Sequence, residues 1–173
     1  MAPTIREKLV ALAYKFAATV NDGDMDASMA IRTENCLTHQ CCPSLNTKPL
    51  TNNDIRAYFD EWTKIGINSK FSITDERFMV VDDVAKRVSF RAVGSADTIG
   101  GPYENDILVI LQATDDCALV AEIWEYFDAI IKKELLDRLT AVQAASGLNR
   151  YAVSTAPENH GVPSAKIEPK VAA

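Results

Sequence analysis

The chain opens on a helical pattern. Thr4-Ile5-Arg6-Glu7 forms a capping box, and Leu9, Ala13, Phe16 and Val20 follow on one face. Asn21-Asp22-Gly23-Asp24 ends that helix, and Asp24 can cap a short second helix reaching about Arg32. Cys36 to Pro43 reads as a short strand or extended segment. A third helix starts at Thr51-Asn52-Asn53-Asp54, with Ile55, Tyr58, Phe59, Trp62 and Ile65 as its apolar set and Gly66 as its stop. Strand patterns take over from there. Phe71 to Val81 is expected to be one long or bulged strand, turned at Asp82-Asp83. Lys86 to Asp97 is the next, and Tyr103 to Thr114 with Ala118 to Phe127 form a hairpin around Asp115-Asp116. A closing helix, about Asp128 to Ala145, should bury Ile131, Leu135, Leu139 and Val142. Residues 1–147 are thus expected to form one domain, and the aperiodic residues 148–173 a mobile tail carrying His160.

Helices first, then antiparallel strands, then one closing helix predict an α+β fold. A curved sheet wrapped on helices leaves a concave pocket suited to a small molecule. The last strand carries the most informative residue. With period two, Leu119, Ala121, Ile123, Glu125 and Phe127 share one face, and Val120, Glu122, Trp124 and Tyr126 share the other. An acid among four apolar neighbours is costly unless paired, neutral or facing a wet cavity. Glu125 is therefore either a general acid or base, or a carboxylate at a solvated strand end. Tyr103, Asn105 and Ile107 share a parity on the neighbouring strand and would join the Glu125 face. The opposite parity, with Glu104, Asp106, Leu108 and Ile110 beside Val120, Trp124 and Tyr126, predicts an apolar outer surface and a homodimer through it.

Composition narrows the chemistry. The 173 residues carry a net charge of −6, which argues against a nucleic-acid surface, and no apolar run is long enough to span a membrane. The first residues enter a charged helix and do not read as a signal peptide, so the cytoplasm is the default location. Cys36, Cys41, Cys42 and Cys117 have no CxxC spacing, and the histidines are only His39 and His160. No metal site is expected. No glycine-rich nucleotide turn or phosphate loop is present either, so no cofactor is expected. Proton transfer, charge stabilisation and steering of a reactive substrate remain within reach.

The element order, the motif Ile123-Trp124-Glu125-Tyr126-Phe127-Asp128, and Arg32, Cys36, His39-Gln40, Pro43, Gly101-Pro102-Tyr103, Asn105 and Asp106 together resemble a known superfamily. It is the nuclear-transport-factor-2-like, or SnoaL-like, superfamily over about residues 4–140. Within it the chain looks like the fungal branch that rearranges meroterpenoid or indole-alkaloid intermediates without a cofactor. The resemblance implies a cone-shaped curved sheet wrapped on three N-terminal helices. It also implies a pocket lined by Arg32 at the end of the second helix, Tyr103, Asn105 and Glu125. The chain departs from the branch at Ile107, where members often carry a second aromatic, which weakens a phenol-dependent proton relay. Limonene-epoxide-hydrolase-type enzymes are also similar around Thr38-His39-Gln40 and at Trp124-Glu125-Tyr126-Phe127-Asp128, but they need an Arg–Asp pair on the middle strand, and here no acid stands two residues from Arg91.

These readings lead to a cofactor-free isomerase or cyclase acting on a polycyclic small molecule. Glu125 would move a proton, Arg32 would stabilise oxyanion charge, and Tyr103 would orient the substrate. His39, Asn105, Tyr58, Trp62 and Ile107 would contact the substrate. Arg32 equally fits a cation at a helix C-terminus, and Tyr58 and Trp62 equally fit core packing. A non-catalytic binding or dimerisation module, or a dehydratase or hydrolase, stands as the alternative.

Overall fold

The computed structural model describes residues 2–146, and the expected tail with His160 lies outside them. Helix α1 (Ile5–Asp22) starts at the Thr4–Glu7 capping box and stops at Gly23, whose φ of 63° places it in the left-handed region. Asp24 caps α2 (Met25–Ala30), which ends two residues before Arg32. Arg32 is instead the first residue of β1 (Arg32–Gln40), so this strand begins four residues before the expected Cys36. Helix α3 (Asn52–Ile65) has its own capping box, Thr51 with Asp54.

Gly66 does not close α3 with a left-handed turn. The chain passes directly into β2 (Gly66–Ile73), where Gly66 pairs with Thr98 and lies so near Trp62 that a Cβ there would stand 3.2 Å from its ring. The expected strand from Phe71 to Val81 is therefore displaced and divided. A 3-10 turn at Glu76–Phe78, capped by the Asp75 side chain, separates β2 from β3 (Val80–Asp82). Strands β4 (Arg87–Thr98), β5 (Gly101–Ala113) and β6 (Val120–Phe127) follow, and α4 (Ala129–Ser146) closes the described chain.

The sheet runs β1-β6-β5-β4-β2, with β3 paired to β4. It is mixed, because β1 pairs with β6 in parallel while the other pairs are antiparallel. Its inner face meets α1: Leu9, Leu12, Ala13 and Phe16 pack on Val88, Phe90, Ala92, Val109, Leu111 and Ile123. Phe16 touches Phe71 and Phe90 at centroid distances of 6.0 and 6.4 Å. Leu135 and Leu139 bury the inner side of α4, while Ile131 and Val142 are half-buried. Helix α4 approaches the β4–β5 turn so closely that a Cβ on Gly100 would stand 3.2 Å from Arg138.

Two asparagines lock helices to strands. Asn21 holds both the N–H and the C=O of Phe71, and Asn105 does the same to Asp128 at 3.0 Å each. Each side-chain amide replaces a lost ladder partner with a donor and an acceptor.

Alternation along β6 fails at its start. A bulge at Ala121 lets both Val120 and Ile123 point inward, fully buried. Val120 therefore leaves the outer surface to which strict alternation had assigned it. What remains outside is a strip in which Leu108 opposes Tyr126 and Ile110 opposes Trp124, flanked by the Arg91–Asp106 pair.

Candidate active site

Between the sheet, α1, α3 and α4 lies a cavity of about 480 Å³, within the usual size range for small-molecule sites. A missing side chain makes room on β4, where Gly94 lines the cavity and faces Ile107 and Phe71. Phe16, Val20 and Phe71 contribute apolar surface, Ile55, Tyr58, Phe59 and Trp62 come from α3, and Tyr103, Ile107, Glu125 and Phe127 line it from the sheet.

Glu125 lies on an interior strand, opposite Val109 of β5 and Gln40 of β1, so its backbone is fixed from both sides. Burial pushes its carboxyl above the ordinary range, and the charges of Arg32 and Lys132 pull it back only in part. Its carboxylate has no hydrogen-bond partner among the described residues. It is thus free to bond to a guest in the cavity.

Arg32 is 8% exposed and also lines the cavity. Its Nη1 donates to the Thr38 hydroxyl at 3.0 Å, its guanidinium lies 6.0 Å from the centre of the Phe16 ring, and its Nε is buried without a partner. Burial lowers its pKa, opposed by the neighbouring Cys36 thiol and Glu125, yet a guanidinium stays charged in such settings. A guanidinium lining a cavity is suited to stabilise charge on an oxygen acceptor.

Tyr103 is held near Trp62, ring edge to face at 5.8 Å, and burial raises its phenol pKa so that the hydroxyl keeps its proton. Tyr58 stacks on Trp62 at 6.4 Å, and Trp62 Nε1 donates to Ser69. Glu125, Arg32, Tyr103, Tyr58, Trp62 and Ile107 are therefore brought around one space.

Two expected contacts are not. His39 projects from the outer face, where its Nε2 lies 2.6 Å from Glu122 and its ring stacks on Trp124 at 5.6 Å. Successive residues of β1 alternate, and since Arg32 and Thr38 face inward, His39 cannot. Asn105 does face inward, but at 1% exposure its amide is spent on Asp128 and does not line the cavity. The sequence reading also missed Lys132, which lines the cavity and donates to the Tyr58 hydroxyl at 2.8 Å. A signal existed: Lys132, Leu135 and Leu139 are spaced i, i+3, i+7 along one helix face. Among the described residues no group of three His, Cys, Asp or Glu could hold a metal ion, and no helix is long and apolar enough to cross a membrane.

No protein-family model matches the chain. It is 60% identical over 169 residues to isomerase prhC of Penicillium brasilianum, covering 97% of each chain. It is 44% identical over 144 residues to austinoid biosynthesis cluster protein F of Aspergillus calidoustus, covering 83% of this chain and 82% of that one. The solved structure of PrhC from Penicillium brasilianum superposes with a TM-score of 0.79 at 63% identity, over 84% of this chain and 96% of that chain. The BvnE pinacolase of Penicillium brevicompactum superposes at 0.76 with 27% identity, over 82% and 97%. At 10% identity, a SnoaL-like polyketide cyclase from Shewanella denitrificans shares the fold, with a TM-score of 0.60 over 77% and 97%.

Proposed function

This chain belongs to the SnoaL-like isomerase family of fungal secondary-metabolite pathways, and on that premise we propose how it rearranges a polycyclic intermediate. It is an isomerase, as its 60% identical relative is, and the austinoid relatives favour a meroterpenoid substrate over an indole alkaloid. The reaction uses no cofactor. Glu125 transfers the proton, Arg32 accepts developing negative charge on a substrate oxygen, and the Tyr103 hydroxyl fixes that oxygen's orientation. Tyr58, Trp62 and Ile107 form the apolar walls that exclude water. The observation that supports this most is a carboxylate raised by burial, without a hydrogen-bond partner, sharing one cavity with the buried side chain of Arg32.

The test is the mass of the product. The protein is exhaustively chelated, supplied with no nucleotide, and incubated with the intermediate accepted by the prhC isomerase. A product of unchanged mass is expected. Gain or loss of one water would make it a hydrolase or dehydratase, and activity restored only by a metal or a nicotinamide would remove the cofactor-free mechanism.

We further propose a homodimer through the outer sheet face. Leu108 and Tyr126 oppose each other there at 42% and 46% exposure, a surface that a second copy would bury. Light scattering at micromolar concentration should give about twice the 19.0 kDa chain mass, and a value near 19.0 kDa would sink the dimer. Four free cysteines support a reducing, cytoplasmic location.

A further inference from the structure

Lys132 is a half-buried ammonium that makes no salt bridge among the described residues, and Glu125 acts on it only through space. Its Nζ lies over the rings of Tyr58, Trp62 and Tyr103, at 5.1, 5.8 and 6.0 Å from their centres. A methionine would cover those rings without the cost of desolvating a charge, so packing alone does not explain a lysine. Burial alone would lower its pKa, but the hydrogen bond to Tyr58, the two phenols and Glu125 outweigh this and leave it raised. The charge is kept.

The donor inventory is unbalanced. An ammonium has three N–H donors, and one goes to Tyr58. Because the Tyr58 oxygen accepts that bond, its own proton is available to the cavity. Two N–H groups of Lys132 and the Tyr58 hydroxyl thus gather at a wall formed by α3, α4 and β5, with Glu125 as the acid that acts on Lys132. Arg32 lines the cavity from the start of β1, against Phe16.

We propose that Lys132 is a second substrate-recognition point, binding an oxygen acceptor other than the one held by Arg32. The substrate is then a fused apolar body with two acceptors, the one at Lys132 being a carboxylate or a carbonyl. This inference rests on the cavity being the isomerase site.

The test is calorimetric and uses a stand-in of that shape. The probes are deoxycholate below its micellar concentration, its methyl ester, and the same skeleton with the carboxylate reduced to an alcohol. Wild-type protein should bind deoxycholate about tenfold or more tighter than the alcohol, the scale of one charge-assisted hydrogen bond. Lys132→Met should bring the two within about twofold, and Lys132→Arg should keep the preference. An ester that binds like the acid identifies a carbonyl site, and one that binds like the alcohol identifies a carboxylate site. A wild-type protein that binds none of the probes or does not distinguish them, or a preference that survives in Lys132→Met, overturns the proposal. Failure of the underlying reading looks different: the Lys132-dependent preference would persist while Glu125→Gln retained turnover.

Discussion

Replacing Glu125 with glutamine should leave the fold intact and reduce turnover by about 10²- to 10⁴-fold, the range that a positioned acid or base contributes. The glutamine is isosteric, so the interior strand that carries it, fixed by Gln40 on one side and Val109 on the other, has no reason to move. Activity within about tenfold of wild type, a barrier change near 1.4 kcal/mol, would place proton transfer on another group. The pH profile gives a second reading. Burial raises the Glu125 carboxyl, so wild-type activity should carry an ionisation above the ordinary carboxylate range, and the glutamine variant's residual rate should lack it.

The same shift has a stability consequence whose sign is opposite to that of a salt-bridged acid. Below the ordinary glutamate pKa both folded and unfolded chains hold the proton, and stability is unaffected. Between that value and the raised one, the unfolded chain releases the proton while the folded chain retains it. Stability is therefore lost as pH rises through this window. Glu125→Gln, which cannot ionise, should be more stable than wild type at neutral pH and equal to it in acid, as urea titrations at the two pH values would show. A variant that gains stability while losing turnover would mark Glu125 as a group retained for chemistry.

Much of this site was legible in the sequence, and the failures share a cause. Period two correctly joined Glu125, Tyr103 and Ile107, because β5 and the second half of β6 pair without interruption from Ile107 to Gln112. It failed at Val120, where a bulge at Ala121 that no turn residue announces reverses the alternation. His39 stood out as the domain's histidine, a residue type suited to proton transfer, but parity with the buried Cys36 and Thr38 puts it outside, where Glu122 and Trp124 hold it. The helical starts were read well, since capping residues act within a single turn, whereas the early start of β2 rests on pairing with β4, Gly66 opposite Thr98, far along the chain. Lys132 was overlooked because a lysine in a helix is normally a solvated residue. Only its spacing with Leu135 and Leu139, and the arrival of α3 opposite, make it a cavity group.

Asn105 shows how an inward polar residue can be structural, and its replacement should produce the largest stability change of any cavity-adjacent polar side chain. Asn105→Ala removes two hydrogen bonds of 3.0 Å at a position 1% exposed, leaving the Asp128 N–H without its partner while the Asp128 C=O keeps the N–H of Lys132. A buried group left unsatisfied costs about 1–3 kcal/mol, so a loss on that scale is expected against a total that is typically about 5–15 kcal/mol. The damage is directional. Asp128 caps α4 through Ile130 and Ile131, and Lys132 follows within the same first turn. Loosening that turn displaces the ammonium from Tyr58, so binding should weaken along with stability. Asn105→Asp keeps an acceptor for the Asp128 N–H but turns a buried carboxylate oxygen on its carbonyl, and should be no more stable than alanine at neutral pH. Urea midpoints for the three proteins, read beside KM, decide the matter. Unchanged stability with a raised KM would return Asn105 to the substrate; a stability loss in both variants assigns it to the joint that holds α4 over the cavity.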